Sequence, residues 1–260
     1  MQESMYSALF GALNQEHRLD IIANNLANAN TNGYKTDQLA FKDVFVNYAH
    51  DNIREPTLNL RSDPLFPSPV NMAKPRIAVS RTDFSQGPLQ QTDNALDLAI
   101  AGDGFFKIRT DNGDFYSRDG AFTLNNEGLV VNGRGQFLLG DGGPVAIPPG
   151  ASSVVIDSQG QIFADNLLVD TIQKVTVDNL DGLEKLGANM FRPRAQGAVV
   201  EQPAEDAEIQ QGFLEKPNVE VVLEMVNMIE TQRAFEAYQK TITTSQEVDL
   251  KAIQQVGTSR

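Results

Sequence analysis

From Met5 onward the apolar or small residues fall at Met5, Leu9, Ala12, Leu19, Ala23 and Leu26. The steps alternate between four and three, and Glu16 alone interrupts them. This heptad-like seam predicts a helix that packs along another helix. Asn-Ala-Asn-Thr-Asn-Gly at 28–33 is a run of helix breakers, so the helix should end near Asn28. Gly33 suits a left-handed stop. At about 1.5 Å per residue the helix would be roughly 40 Å long.

A second long helix is predicted at the other end. Pro217 and Asn218 give a start signal, with Asn218 as N-cap and Glu220 in the first turn. Val219, Val222, Val226 and Ile229 form one stripe; Met225, Met228, Phe235 and Ile242 form an adjacent one. Glu236 and Lys240, then Glu247 and Lys251, stand four apart with Glu first, the favourable order. No glycine or proline follows until Gly257. Two stripes on one helix imply neighbours on two sides, as in a bundle or a helical assembly, although both helices packing within their own domain is the simpler alternative.

Between the helices the period changes. Phe41, Val44, Phe45 and Tyr48 suggest a short amphipathic turn, and Pro56, Pro64, Pro67, Pro69 and Pro75 then exclude any long helix. An extended arm, packed through Leu58, Leu60, Leu65 and Phe66, or a disordered linker would each account for this stretch. From Thr82 to Gly212 short apolar clusters alternate with turn pairs. The clusters include 105–108, 121–124, 129–131, 137–139, 154–156, 161–163 and 172–177; the turn pairs include Asn112-Gly113, Glu127-Gly128, Asn132-Gly133 and Gln159-Gly160. That spacing predicts an antiparallel sheet domain, sandwich-like or barrel-like, with its clearest hairpin in Gly120–Gly140. The expected class is mixed: terminal helices pairing as a coiled-coil-like domain, and a central all-β domain. The expected division is 1–34 for the N-terminal helix, 35–81 for the arm, 82–212 for the β-rich body and 213–260 for the C-terminal helix.

Composition narrows the function. The formal net charge of the 260 residues is -13, which does not suit nucleic acid or an anionic membrane surface. Lys35 and the Arg192–Arg194 pair are too sparse to change that. With 41% hydrophobic residues and a mean hydropathy of -0.29, the chain can build a core, yet no run approaches the length of a membrane span. The first apolar stretch follows Glu3 rather than Lys or Arg, so a secretory signal is not expected. Cysteine is absent, which removes disulfides, thiolate metal sites and cysteine nucleophiles.

Little in the chain points to catalysis. The two histidines, His17 and His50, read as surface residues. There is no G-x-S-x-G elbow and no phosphate-binding loop. Asp111–Asp119 resembles a calcium loop in composition alone, since the alternating ligands and the twelfth-position Glu are missing. Turn chemistry accounts for it, and for Gly102-Asp103-Gly104. No catalytic residue, cofactor or metal site is expected.

Four segments, in order, carry a resemblance. Leu19–Lys35 (LDIIANNLANANTNGYK) is similar to the N-terminal signature of bacterial flagellar rod and hook proteins. Ala95–Phe106 (ALDLAIAGDGFF) resembles that family's central motif, and Tyr116–Leu124 (YSRDGAFTL) with Asn125–Gly140 its next hairpin. Asn218–Tyr238 resembles its C-terminal motif. Arg18, Thr82–Leu89 and Gly140–Pro144 look more like the proximal rod type than the distal one.

The resemblance implies a structural subunit of the basal-body rod that helps carry motor torque to hook and filament. Its terminal helices would pack with those of other rod subunits, and of further copies, around a central export channel. The flagellar type III apparatus would export it without a cleaved signal. Residues expected at subunit contacts are Met5, Leu9, Leu19, Ile22, Asn24, Asn25, Leu26, Asn28 and Gly33, with Val222, Val226, Ile229, Phe235 and Ile242. Asn24 and Asn28, four apart, would bond a neighbour or channel water, or simply mark a fraying helix end. Helices with apolar residues on more than one side are marginal alone, so order is expected on assembly. The alternatives are a distal rod or hook-type subunit, or a secreted β-domain hydrolase acting on peptidoglycan.

Overall fold

The computed structural model describes residues 2–46, 72–151, 153–187, 189–194, 199–204 and 206–257. It divides into two units. The first takes in helix α1 (Gln2–Ala27) up to Ile22, most of a two-stranded ribbon, and helix α2 (Val221–Gly257) from Val226. The second takes in Ala23–Gln38 and Arg81–Met225.

The ribbon is β1 (Asp37–Val46) paired with β2 (Met72–Thr82). Phe41, Val44 and Phe45 therefore lie in a strand, where their spacing suggested a turn. Alternation over so short a run does not separate the two, and the pairing with β2 decides it. Tyr48, Leu58, Leu60, Leu65, Phe66 and four of the five prolines lie outside the described residues; Pro75 lies in β2.

The second unit is antiparallel β throughout its described strands. In chain order these are β3 (Leu89–Gln91), β4 (Leu98–Ala101), β5 (Phe105–Thr110), β6 (Gly113–Ser117), β7 (Phe122–Leu124), β8 (Val130–Asn132), β9 (Phe137–Gly140) and β10 (Gly143–Pro144). They continue with β11 (Val154–Ile156), β12 (Gln161–Ala164), β13 (Leu167–Thr171), β14 (Lys174–Val177), β15 (Leu183–Gly187), β16 (Met190–Pro193), β17 (Glu201–Pro203), β18 (Glu208–Gln211) and β19 (Phe213–Glu215). The main sheet runs β15-β16-β6-β5-β9-β8-β7, with β10 on β9 and β14 on β5 and β17. A three-stranded sheet is ordered β11-β12-β13, while β18 pairs with β4 and β19 with β3. Phe213–Glu215 thus belongs to the body's strands rather than to the C-terminal helix.

Strand β5 shows why the body holds. Adjacent residues of a strand point to opposite faces. Phe106 enters a large core with Leu98, Ile108, Phe122, Leu138, Ile162 and Ile209. Phe105 enters a second cluster with Tyr116, Val175, Leu183 and Phe191. Both faces of β5 are therefore covered at Phe105 and Phe106, and alternation of buried and open positions returns only from Lys107 onward. Phe84 closes the second cluster, its ring 5.1 Å from that of Phe191 and 5.7 Å from that of Phe105.

One turn design recurs three times, starting at Asn125, Asn132 and Asp157. In each, the side-chain oxygen accepts from the backbone N–H two and four residues on, at 2.8–3.0 Å. Each has glycine three residues on, at a φ of 79°, 78° and 90° for Gly128, Gly135 and Gly160. Asx side chains replace a backbone partner in such turns, and glycine supplies the left-handed step. The strand pair expected in Gly120–Gly140 is there: β7 pairs with β8 through Thr123 and Val131, and β8 with β9 through Val131 and Phe137.

Candidate functional site

The chemistry of this chain lies in how its two helices are rooted and faced. Along α2 the covered or half-covered positions include Glu224, Met228, Thr231, Phe235, Tyr238, Ile242, Ser245 and Asp249. Their steps of four and three are those of a heptad seam. On α1 the buried positions include Ala8, Gly11, Ala12 and Ile22. The two helices pack together through these faces. A methyl built on Gly11 would lie 2.5 Å from Cε1 of Tyr238, so the glycine lets the aromatic ring approach. Asn25 of α1 likewise meets Glu224 of α2, its Nδ2 3.4 Å from Oε1. From Gly11 to Asn25 is fourteen residues, as is Tyr238 back to Glu224, so the helices run antiparallel in one register.

What the seam leaves uncovered is as specific. Tyr6, Leu9, Phe10 and Leu13 are exposed on α1. Val222, Leu223, Met225, Val226 and Ile229 are exposed on α2, Val222 by 77% and Ile229 by 53%. The two stripes read from sequence thus have different fates. Met228, Phe235 and Ile242 turn towards the covered face, while Met225 of the same stripe is exposed together with Val222, Val226 and Ile229.

The residues expected at subunit contacts divide in the same way. Leu9, Asn24, Val222, Val226 and Ile229 are exposed; Met5, Leu19, Leu26, Asn28, Phe235 and Ile242 are half-buried. Ile22, Asn25 and Gly33 are buried within the chain itself. Asn28 folds back on its helix, its Nδ2 donating to Asn24 O at 2.8 Å, and Asn24 Oδ1 accepts from the Tyr34 hydroxyl at 2.8 Å. The Asn28 amide thus bonds a carbonyl of the last helical turn, while the Asn24 amide oxygen ties Tyr34 to the helix.

Around Asn25 the second unit builds a polar knot. Asn25 donates to Asp37 O and accepts from Asp37 N–H, both at 3.0 Å, as a neighbouring strand would. The Tyr34 hydroxyl lies 3.0 Å from Asn25 Oδ1. Burial, then the charges of Asp37 and Glu224, push the Tyr34 phenol well above its usual range. The Lys185 ammonium sits 3.7 Å over the Tyr34 ring and 3.0 Å from Asp37 Oδ2. Burial pulls Lys185 down, and Asp37 opposes this.

A second knot lies deeper. Lys35 and Glu215 are each 1% exposed and form an ion pair of 2.7 Å. Arg118, 3% exposed on its side chain, reaches the other carboxylate oxygen at 3.1 Å and donates to Ile100 O and Gly102 O. Its guanidinium lies 5.4 Å from the centre of the Phe105 ring. Glu215 also accepts from Gly87 N–H at 2.9 Å, and its carbonyl from Gly33 N–H at 2.8 Å. Gly33 has φ 67°, and a Cβ there would lie 2.4 Å from the Arg118 backbone. Lys35 is therefore no surface basic spot; sequence alone did not mark its partners, which come from 50 to 180 residues away. Burial lowers its affinity for a proton, and Glu215 opposes that.

Asn218 does not cap α2, which begins three residues later at Val221. It accepts from Thr36 N–H at 2.8 Å and donates to Asp83 O at 2.9 Å, bonds that hold the chain before the helix.

Asp114 and Asp119, two of the acidic residues in the Asp111–Asp119 stretch, are engaged within the chain. Asp114 is held by Arg109 at 2.8 Å across the β5–β6 hairpin, and that bond lowers its carboxyl below the usual range. Asp119 Oδ1 accepts from Ala121 N–H. His17 is exposed on α1, and His50 lies outside the described residues. Among the described residues no three His, Cys, Asp or Glu side chains are grouped to hold a metal ion.

Comparison with known proteins agrees with this architecture. The Flagella basal body rod protein family matches residues 5–35, the Flagellar hook protein FlgE/F/G D1 domain matches 99–164, and the Flagellar basal body rod FlgEFG protein C-terminal family matches 210–255. The flagellar basal-body rod protein FlgF of Caulobacter vibrioides is 35% identical over 258 residues, 99% of each chain. FlgG of Bacillus subtilis is also 35% identical, over 95% of this chain and 97% of its own. FlgF of Mesorhizobium japonicum is 31% identical over 91% of this chain and 90% of its own. With these family matches at both ends and in the middle, and relatives aligned over nearly its whole length, the chain belongs to the flagellar basal-body rod family: it is a structural rod subunit of the FlgF/FlgG type, not an enzyme.

Proposed function

We propose that the chain enters the rod through its uncovered helix faces, with the stripe of Leu9, Phe10 and Leu13 and that of Val222, Val226 and Ile229 meeting helices of neighbouring subunits. One observation carries this reading. The α2 helix has a covered heptad seam and, beside it, an apolar stripe exposed by as much as 77%. A run of exposed valine, leucine, methionine and isoleucine is costly in water and marks an interaction face. Half-buried Met5, Leu19, Leu26, Phe235 and Ile242 would complete the contacts from within each pair.

The same reading places the helices around an export channel, with torque passing along the packed bundle, and has the flagellar type III apparatus deliver the chain without a cleaved signal to the part of the rod that spans the periplasm. Of the two rod types, the proximal FlgF type is favoured by the Thr82–Leu89 and Gly140–Pro144 stretches. Its test is complementation of a strain lacking this gene with Ile229→Asp. The variant accumulates as folded protein but gives no rod and no motility. Normal rods from Ile229→Asp and Val226→Asp would remove these stripes from the interface.

A further inference from the structure

Among the described residues, Glu215 is the carboxylate that two buried cations share, and it comes from the last strand of the body. Lys35 arrives from the segment that follows α1, and Arg118 from the middle of the chain. Until Glu215 is in place, closing the body would bury a guanidinium and an ammonium together with no counter-charge. Burying unpaired charge is strongly unfavourable. The neighbouring strands repeat this dependence. The Leu98–Ala101 strand contains Leu98, Ala99 and Ile100, each at most 1% exposed, and takes its ladder from Glu208–Gln211 more than 100 residues away. Leu89–Gln91 likewise pairs with Phe213–Glu215.

We propose that the Lys35–Glu215–Arg118 knot is a completion latch: the β body closes only when the segments bordering both terminal helices have been delivered to it. A nascent chain has no latch until residue 215 has been made. The body therefore stays open, with Leu89–Gln91 and Leu98–Ala101 unpaired, until the last strands of the body have been made. Any partner that must take this chain unfolded then has a window set by the latch rather than by the speed of hairpin formation. The proposal rests on the buried geometry and does not depend on which helix faces meet neighbours.

The distinction from an ordinary stabilising ion pair is kinetic. A contact required for closing is already formed in the folding transition state, so its loss slows folding; a contact made afterwards mainly speeds unfolding when lost. The experiment uses the full chain with Glu215→Gln, refolded from denaturant, with pulsed amide exchange read on peptides covering Leu98–Ile108. The latch predicts that refolding of this region slows by about tenfold or more while unfolding changes by less than about twofold. The larger of the two logarithmic changes decides: if unfolding carries it, the latch is overturned. Should Glu215→Gln fail to fold, Glu215→Asp, which keeps the charge and shortens the reach, is judged by the same criterion.

Discussion

The ring of Tyr238 occupies the space that a side chain on Gly11 would need, with three ring carbons within 2.9 Å of the built Cβ. Glycine inside a helix costs about 1 kcal/mol relative to alanine. The contact with Tyr238 explains why α1 carries one there. This gives a test with opposite signs. In an unpaired helix, Gly11→Ala raises helicity. In the paired helices it forces ring and helix apart, at a cost of about 1–3 kcal/mol. Thermal unfolding followed by far-ultraviolet circular dichroism should show a net loss, and a gain would mean that the faces do not meet.

The same register supplies a crosslink. Ala8 is buried one turn before Gly11, and Ile242 is half-buried one turn after Tyr238. In antiparallel helices these positions approach each other. Ala8→Cys with Ile242→Cys should form a disulfide within one chain, in dilute solution, in a protein with no other cysteine. Val226→Cys paired with Ala8→Cys should not.

Asn25 is 1% exposed and answers both backbone groups of Asp37. Asn25→Ala leaves those groups unpaired, costing about 1–3 kcal/mol. Asn25→Asp should be worse, because it buries a carboxylate beside Glu224 and Asp37. Chemical denaturation orders the variants, and an Asp form as stable as the Ala form would contradict the described surroundings.

Alkaline stability follows from the tyrosines. Burial first, then neighbouring carboxylates, raise Tyr34 above the ordinary phenol value of about 10; burial and the hydrogen bond to Glu201 do the same for Tyr116. A folded pKa above the unfolded one stabilises the fold below pH 10, and that contribution is lost as pH rises through the folded value. Spectrophotometric titration should show these two phenols ionising only as the body unfolds. Tyr34→Phe and Tyr116→Phe should each flatten the fall above pH 10.

The helices, the β body and its turns were legible because each rests on local chemistry: a heptad period, Asx-x-x-Gly turns and apolar runs. The seam of Met5, Leu9, Ala12, Leu19, Ala23 and Leu26 was legible only in part. Its Ala12 is buried, but Leu9 and Ala23 are exposed, and the internal contact also uses Ala8 and Gly11, which lie off the predicted stripe. Asn218 read as a cap because its residue type and position fit one, but Thr36 and Asp83 hold it instead. The Lys35–Glu215–Arg118 knot was invisible, since nothing within a few residues of Lys35 signals a carboxylate 180 positions away. Each helix has one partner inside the chain, and an apolar stripe is left over on each.

The leftover stripe of α2 is where the account is most directly tested. A single Val222→Cys variant, in an otherwise cysteine-free chain, is labelled with a maleimide as purified monomer and again in isolated basal bodies. Val222 is 77% exposed, so the monomer should react fast, whereas in the assembled rod a neighbour's helix should shield the thiol and labelling should fall by tenfold or more (about 1.4 kcal/mol of protection). A cysteine on the exposed Leu167 of the body serves as the control for reagent access. Equal labelling of Val222→Cys in monomer and rod would contradict assembly through this face.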